Sequence, residues 1–397
     1  CVKLSNGKLS KESFSSEKWK KETGEIVIRI IHYLMEQPYA NNIAGIKITG
    51  GTTYEWQWWG MNGNNTVVGD FSSAGLTAYR GWLRNKYKTD AALQAAWGDP
   101  RVTMATAEVP AIEARSESEY GSILHAQNSP DVIDYELFMA DMKTDAILYF
   151  AELVKEAVDD RIVVGTYAGY LLNCTTYEFG TSTAQVALER ILESDAIDYV
   201  KCPWLYGERE IGTSGDYMGP VDSVTAHGKL YVAEDDDRLN LLRLDLAQDS
   251  RASVGWTRTT KQSVETIKRN FAYALSKGQT LDFYNLGGGY FDDEQYYGVI
   301  SQMMQEMTLA QGLERQSVSD VAVFMDGQSA AYFPYTGADT ANELLFKSVL
   351  MQQRAELYNI GAPFNTYLLD DLAKGLVPEH KINIFLSTTQ MTREERT

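Results

Sequence analysis

The sequence is poor in cysteine and histidine and contains no long apolar run. Its three cysteines, Cys1, Cys174 and Cys202, leave at least one unpaired and lack metal-ligand spacing, and the four histidines form no cluster. No apolar run approaches the roughly 20 residues of a membrane-spanning helix, and the N-terminus lacks the layout of a signal peptide. We therefore expect a soluble chain with no metal, no other cofactor and no membrane partner.

Basic charge is also scarce. The chain has 36 Lys and Arg against 54 Asp and Glu, which gives a net charge of −18 and no visible basic patch. Such a surface repels nucleic acid and anionic membranes. The 397 residues, 44% hydrophobic and 11% aromatic, suit a folded protein with one large domain and a smaller one.

The first residue, Cys1, is not an initiator methionine. Either a signal peptide was cleaved before a lipid-accepting cysteine, or the chain is a fragment. The number of predicted strands favours a fragment. The compartment stays open between cytoplasm and periplasm.

Short apolar runs alternate with segments of helical periodicity along the chain. Helices are predicted near 16–37, 76–87, 89–97, 131–159, 182–194, 263–277 and 342–360. Strands are predicted at 43–49, 161–169, 196–204, 229–234, 280–285, 321–325, 363–369 and 382–386. Apolar strands separated by helices are typical of parallel strands that are buried on both faces.

The pattern divides near residues 311–320. Five strands precede Arg315, whereas a closed (β/α)8 TIM barrel needs eight. We predict an α/β catalytic TIM-barrel domain at 1–312 whose N-terminal strands are missing from the numbered chain. A partial, flavodoxin-like α/β domain is predicted at 313–397.

Two glutamates follow predicted strands in a setting rich in aromatic residues. Glu55 comes after the strand at 43–49 and a glycine pair, beside Trp56 and Trp58, and Glu234 ends the strand at 229–234. Side chains at the carboxyl ends of barrel strands converge on one face. A pair of carboxyl groups there, with aromatic rings to hold sugar faces, indicates hydrolysis of a glycosidic bond.

The surroundings predict different roles for the two carboxyl groups. Indoles around Glu55 disfavour its charged form, which suits a general acid. Arg238 is expected to keep Glu234 ionised as the nucleophile, although three neighbouring aspartates oppose this, and we expect some of them to bind sugar hydroxyls or loop backbone. A separation of about 5 Å between the carboxyl groups would mean retention of anomeric configuration, and roughly 6.5–9.5 Å would mean inversion.

The other predicted site residues are polar and aromatic side chains near the strand ends. The predicted substrate-binding residues are Tyr54, Trp56, Trp58, Tyr167, Trp204, Tyr206, Asp235, Arg238 and Asn285.

Each assignment has a structural alternative. Glu55 can be a loop glutamate, and Glu234 can belong to a solvated acidic run or a calcium loop. The aromatic residues can be core packing instead of subsite walls. Residues 287–289 are expected to form a turn and not a phosphate loop, and His227 is expected to cap the strand at 229–234 or to make a local hydrogen bond.

Three motifs carry a resemblance to a known family. They are the segments 50–56 (GGTTYEW), 79–87 (YRGWLRNKY) with 93–100 (LQAAWGDP), and 227–238 (HGKLYVAEDDDR). Together they resemble clan A glycoside hydrolases related to the family 42 β-galactosidases. The segment from about Val321 resembles the trimerisation domain of that family.

The resemblance implies a (β/α)8 barrel in which the acid/base follows strand four and the nucleophile ends strand seven. Glu55 then takes the first role and Glu234 the second, in a retaining double displacement. The five strands before Arg315 become strands four to eight, and a homotrimer is expected. The sequence departs from the family at Tyr54, where the family has an asparagine that holds the sugar 2-hydroxyl.

The function predicted from these features is that of an exo-acting β-glycosidase, β-galactosidase-like, acting on a carbohydrate. Two alternatives remain open. One is an endo-acting glycanase of the same clan, and the other is a non-catalytic carbohydrate-binding or scaffold protein.

Overall fold

The computed structural model describes residues 1–59, 69–116, 123–171, 185–242, 255–285, 289, 291–333, 348, 352–391, 393, 395 and 396. The chain forms two compact units. The first contains Cys1–Tyr199, Asp326–Met351 and Leu386–Thr397, and the second contains Val200–Met325 and Gln352–Phe385.

The described residues of the first unit are mainly helical and include two strands. Its elements are α1 (Glu17–Met35), β1 (Gly45–Ile48), α2 (Ser73–Tyr87), α3 (Asp90–Trp97), α4 (Ile112–Ser116), α5 (Pro130–Val158), β2 (Val163–Tyr167) and α6 (Leu188–Glu193). Strands β1 and β2 pair in parallel, with Gly45 opposite Val163 and Ile48 opposite Thr166. The long helix α5 packs against α1.

Hydroxyl side chains set the starts of three helices in this unit. The side chains of Ser16, Ser72 and Thr89 accept hydrogen bonds from the backbone N–H of Trp19, Gly75 and Ala92. These bonds satisfy N–H groups that have no partner inside a helix.

The motif at 79–87 and 93–100 has a structural explanation. The carboxylate of Asp134, buried on α5, accepts hydrogen bonds from Lys86 Nζ at 2.6 Å, from the Tyr87 hydroxyl at 2.7 Å and from Trp97 Nε1 at 2.7 Å. A buried carboxylate is costly unless it is paired and hydrogen-bonded. The motif therefore fixes α2 and α3 on α5.

The second unit contains two parallel arrangements of strands. Its elements are β3 (Tyr199–Pro203, beginning at the last residue of the preceding segment), α7 (Val221–Ala226), β4 (Leu230–Asp235), α8 (Thr260–Ser276), β5 (Thr280–Phe283), α9 (Glu294–Ala310), β6 (Val321–Met325), α10 (Gln353–Ile360), β7 (Phe364–Leu368), α11 (Leu369–Ala373) and β8 (Ile382–Leu386). Strands β3, β4 and β5 lie side by side in chain order. Strands β4 and β5 are parallel, and Glu234 stands opposite Asp282.

A separate three-stranded sheet has the order β7-β6-β8, with β6 and β7 parallel. Its strands were all anticipated from the sequence. The domain boundary at 312/313, the flavodoxin-like class of this part and its likeness to a trimerisation domain stay predictions.

The predicted α/β class with parallel strands is confirmed, and closure into a barrel stays a prediction. Eight strands occur where the sequence indicated them. Helices α4, α7, α9 and α11 had not been predicted. Of the helices predicted at 182–194 and 342–360, residues 182–184 and most of 342–351 lie outside the described residues.

Candidate active site

Glu55 lies in a tight, strained loop directly after β1. The loop is closed by a hydrogen bond of 2.7 Å from the N–H of Trp56 to the carbonyl of Gly50. Thr53, Tyr54 and Trp56 have φ values of 59°, 65° and 61°. Each such left-handed conformation costs about 1–3 kcal/mol in a non-glycine residue, and this kind of strain is concentrated at functional sites. The loop that carries Glu55 therefore has a backbone conformation that lowers the stability of the fold.

Side chains following β2 hold Glu55 in place. The hydroxyl of Tyr170 donates to Oε1 of Glu55 at 2.8 Å, and Gln185 Nε2 donates to the backbone carbonyl of Glu55 at 3.2 Å. Gln185 is itself held by the N–H of Gly169 at 3.0 Å. A phenol that donates to a carboxylate favours its ionised form. Tyr170 had not been included among the predicted site residues.

Tyr167 was predicted to bind substrate, and it lies beside Tyr170. The two rings meet edge to face with centroids 6.3 Å apart. The ammonium of Lys47 lies 3.8 Å from the centroid of the Tyr167 ring. Tyr167 is buried, so this position favours a supporting role near Tyr170.

The two tryptophans beside Glu55 belong to the core. Trp56 and Trp58 are 1% and 0% exposed, and both rings contact Phe14. Their indole N–H groups donate to the backbone carbonyls of Ile48 and Met139. This placement favours packing over substrate binding for both residues. Tyr54 differs, because 72% of it is exposed.

Glu234 lies one residue before the end of β4 and is buried. The ammonium of Lys201 on β3 contacts Oε2 of Glu234 at 2.8 Å and Oδ2 of Asp282 on β5 at 2.5 Å. We had expected Arg238 to stabilise the charge of Glu234. The guanidinium of Arg238 instead contacts Asp236 at 3.0 Å. A cation that does contact the predicted nucleophile is Lys201, and this corrects the expectation for Arg238.

The three aspartates after Glu234 are buried and paired. Asn270 Nδ2 donates to Asp235 at 3.0 Å and to Asp237 at 2.9 Å, and Asp236 contacts Arg209 at 2.6 Å and Arg238. Burial, and then the charge of Asp237, raise the pKa of Asp235. The cluster therefore carries less negative charge at neutral pH than its sequence implies. Asp235 was predicted to bind substrate, but its contacts are those of a supporting residue.

Arg209 joins the segment after β3 to the segment after β4. Its guanidinium donates to the carbonyl of Trp204 at 2.7 Å and lies 4.2 Å from the ring centroid of Tyr206. Trp204 is buried and stacks on Tyr217 with centroids 4.8 Å apart. Both predicted residues, Trp204 and Tyr206, are thus fixed by Arg209, which sequence analysis had not singled out.

We expect Arg209→Met to lower the free energy of unfolding by about 3–5 kcal/mol, because breaking a buried ion pair leaves an uncompensated charge. Arg209 is 1% exposed, and its loss leaves Asp236 with less cationic compensation. Urea denaturation of the full-length protein measures the change.

The matched control for Arg209 is Lys268→Met. Lys268 pairs with Glu265 at 3.3 Å on the surface, with 52% and 61% of the two side chains exposed. Exposed pairs contribute little, so a change below about 0.5 kcal/mol is expected. Equal effects for the two variants would show that Arg209 is not a structural centre.

The remaining predicted positions are less informative. Asn285 follows β5, and its Oδ1 accepts from the N–H of Gly289 at 3.1 Å. Residues 287 and 288 of the predicted turn lie outside the described residues. His227 was expected to bond locally, but its Nε2 instead lies 2.8 Å from Oδ1 of Asp371, 144 residues further along the chain.

Within the described part of the chain, no group of three His, Cys, Asp or Glu residues is placed to hold a metal ion. Among the helices described, none is both long and apolar enough to cross a bilayer.

A family comparison supports the resemblance. Residues 5–189 match the model of glycoside hydrolase family 42, described as beta-galactosidase. The matched segment contains Glu55 and the motif around Trp82 and Trp97, and it ends before Glu234. No curated protein matches the chain. The resemblance to family 42 that the motifs indicated is confirmed, and it supports a glycoside hydrolase.

Solved structures with a similar fold include two β-galactosidases and an exo-carrageenase. The β-galactosidase of the psychrophilic Marinomonas ef1 is 14% identical with a TM-score of 0.59, and 100% of this chain covers 60% of that protein. The Bacillus circulans sp. alkalophilus β-galactosidase is 14% identical with a TM-score of 0.63, at coverages of 97% and 53%. A family 42 exo-carrageenase of Bacteroides ovatus is 13% identical with a TM-score of 0.62, at coverages of 98% and 51%.

At identities this low, the TM-scores of 0.59 to 0.63 show a shared fold and nothing finer. The chain spans between half and three fifths of the length of these proteins. Activity, substrate and assembly of the whole protein are therefore matters for proposal.

Proposed function

We propose that the chain is the catalytic part of a retaining, exo-acting β-glycosidase of the β-galactosidase type. The observation that carries the proposal is the position of the two glutamates. Glu55 follows β1 and Glu234 lies at the end of β4, each at the carboxyl end of a strand that pairs in parallel with its neighbour. In (β/α)8 enzymes this is the catalytic end of the strands.

In the proposed reaction Glu55 first acts as the acid. It protonates the leaving oxygen while the carboxylate of Glu234 attacks the anomeric carbon, so the bond to the aglycone breaks and a glycosyl ester forms. Glu55, now ionised, takes a proton from water, and this water displaces Glu234 with release of the sugar. Two inversions give net retention.

The contacts of each glutamate suit its proposed role. Glu234 must be ionised to attack, and the ammonium of Lys201 at 2.8 Å favours that form. Glu55 must change its protonation state in each cycle, and Tyr170 is held where it can donate to the ionised state.

Substrate contacts are proposed for the accessible members of the predicted set. Tyr54 stands where the family has an asparagine, and its exposed ring can stack on a sugar face. The buried residues Trp56, Trp58 and Asp235 are proposed to act by supporting the loops that carry the glutamates. A homotrimer built through the β6–β8 region remains the proposed assembly.

The test is turnover by the full-length protein on a panel of chromogenic β-glycosides, with the β-galactoside expected to react fastest. Proton NMR of the first product should show the β-anomer, and natural oligosaccharides should release single sugars. Release of the α-anomer would refute the double displacement, release of oligomers would favour an endo-acting enzyme, and no turnover on any glycoside would favour a binding protein.

A further inference from the structure

Parallel pairing creates an electrostatic problem beside the predicted nucleophile. Glu234 on β4 and Asp282 on β5 stand opposite each other in register. Residues paired in register point to the same face of a sheet, and neighbouring strands lie about 4.8 Å apart, so the two side chains are close to each other. Like charges at directly opposed positions destabilise a sheet unless a counter-charge lies between them.

Lys201 supplies that counter-charge from the next strand. Its Nζ lies 2.8 Å from Glu234 Oε2 and 2.5 Å from Asp282 Oδ2, and only 8% of its side chain is exposed. The ring of Tyr284, with its centroid 5.9 Å from Nζ, closes one side of the contact. Burial by itself lowers the pKa of Lys201, but hydrogen bonds to Asp282 and Glu234 outweigh it and raise the pKa overall. The lysine is therefore held as an ammonium.

The two anions differ in exposure. Glu234 is buried, with 5% of its side chain exposed, whereas 48% of the Asp282 side chain is exposed. The carboxylate of Asp282 therefore contacts water, whereas that of Glu234 is buried against the ammonium of Lys201.

We propose that Lys201 is a positioning residue that sets the protonation state of the nucleophile Glu234, with Asp282 as a second anion that shares the Lys201 ammonium. This inference rests on the proposed function, since it assigns Glu234 the nucleophilic role. When the glycosyl ester forms on Glu234, that side chain loses its charge. Lys201 then keeps Asp282 as its counter-ion, so the ammonium is never left buried without an anion.

Other charged groups lie near Glu234 along the chain, and they are engaged elsewhere. On its own segment Asp236 pairs with Arg238, and both Asp235 and Asp237 bond to Asn270. From the segment after β3, Arg209 pairs with Asp236, and from α8 Arg269 lies 3.6 Å from Asp237. From the neighbouring strand β3, Lys201 contacts Glu234 directly and links it to Asp282 on β5.

The test is the pH dependence of kcat/KM for two variants of the full-length protein. The acid limb reports ionisation of the nucleophile in the free enzyme. Lys201→Met removes the cation and should move this limb to higher pH by about one unit or more. Asp282→Asn removes the opposing charge and should move it to lower pH.

Opposite shifts of the acid limb in the two variants would not follow from a merely structural role of Lys201. A structural role would lower activity without moving the acid limb of the kcat/KM profile. Should Lys201→Met fail to fold, as judged by thermal melting against Lys268→Met, the half-exposed Asp282→Asn variant decides alone. An unmoved or upward-shifted limb in Asp282→Asn overturns the inference.

Failure of the inference can be told apart from failure of the proposed function. Loss of activity in Glu234→Gln together with unmoved limbs in both variants would reject the role of Lys201 and leave the glycosidase intact. Full activity in Glu234→Gln would reject the assignment of the nucleophile itself.

Discussion

Glu234→Gln is expected to reduce kcat/KM of the full-length protein by at least about a thousandfold on every β-glycoside that it cleaves, because loss of a covalent nucleophile removes the double-displacement route. Glutamine keeps the shape of glutamate and can still bond to neighbours, but its amide does not attack the anomeric carbon. Initial rates on an aryl β-galactoside measure the loss.

A second measurement separates loss of the nucleophile from loss of the fold. Azide, a small anion, can occupy the space of the missing carboxylate in a smaller variant, Glu234→Gly, and should restore turnover with formation of the α-glycosyl azide. The surface variant Glu265→Gln makes the same chemical change on α8 and should keep wild-type rates. A loss below tenfold in Glu234→Gln, or a β-glycosyl azide from Glu234→Gly, would remove Glu234 from its role.

Local sequence patterns predicted most of the secondary structure because the elements follow local rules. The N-cap residues Ser16, Ser72 and Thr89 mark the starts of three helices in the sequence. Apolar runs identify the buried strands. Helix α9 was missed although Asp293 caps it, since its side chains Met304 and Leu309 are exposed and blur the apolar stripe.

The motif that resembled family 42 carries information about folding. Tyr87 and Trp97 both bond to the buried Asp134, which lies 47 and 37 residues further along the chain. Nothing in the spacing of the motif identifies that carboxylate. A recurring pattern of this kind reflects the requirement to satisfy one buried charge, and it points to the family without pointing to the active site.

The surroundings of the glutamates were harder to predict for a related reason. Lys201 and Arg209 are separated from their acidic partners by tens of residues, and only strand pairing and burial bring them together. Arg238 is close to Glu234 in sequence, and for that reason it was predicted to be the cation beside Glu234, where the structure has Lys201. The tryptophans beside Glu55 were ambiguous because indoles suit both a sugar site and a core, and in the structure Trp56 and Trp58 are buried.

Glu55→Gln is expected to show a loss of activity that depends on the leaving group. General acid catalysis contributes about 10²–10⁴-fold, so a methyl or alkyl β-glycoside, whose leaving oxygen needs a proton, should lose that much in kcat/KM. A 2,4-dinitrophenyl β-glycoside leaves without protonation, and its kcat/KM should change by less than about tenfold. Steady-state rates on the two substrates give the comparison.

Hydrolysis of the glycosyl ester also needs Glu55, as the base, so Glu55→Gln should accumulate the intermediate on the dinitrophenyl substrate. A burst of dinitrophenolate equal to the enzyme concentration is expected, followed by slow turnover that azide accelerates with formation of the β-glycosyl azide. Glu152→Gln, an exposed change on α5, serves as the control with neither burst nor azide dependence. Equal losses on both substrates would show that Glu55 supports the loop instead of transferring protons. The strained backbone around it would then serve folding, and the acid would have to be sought elsewhere on the chain.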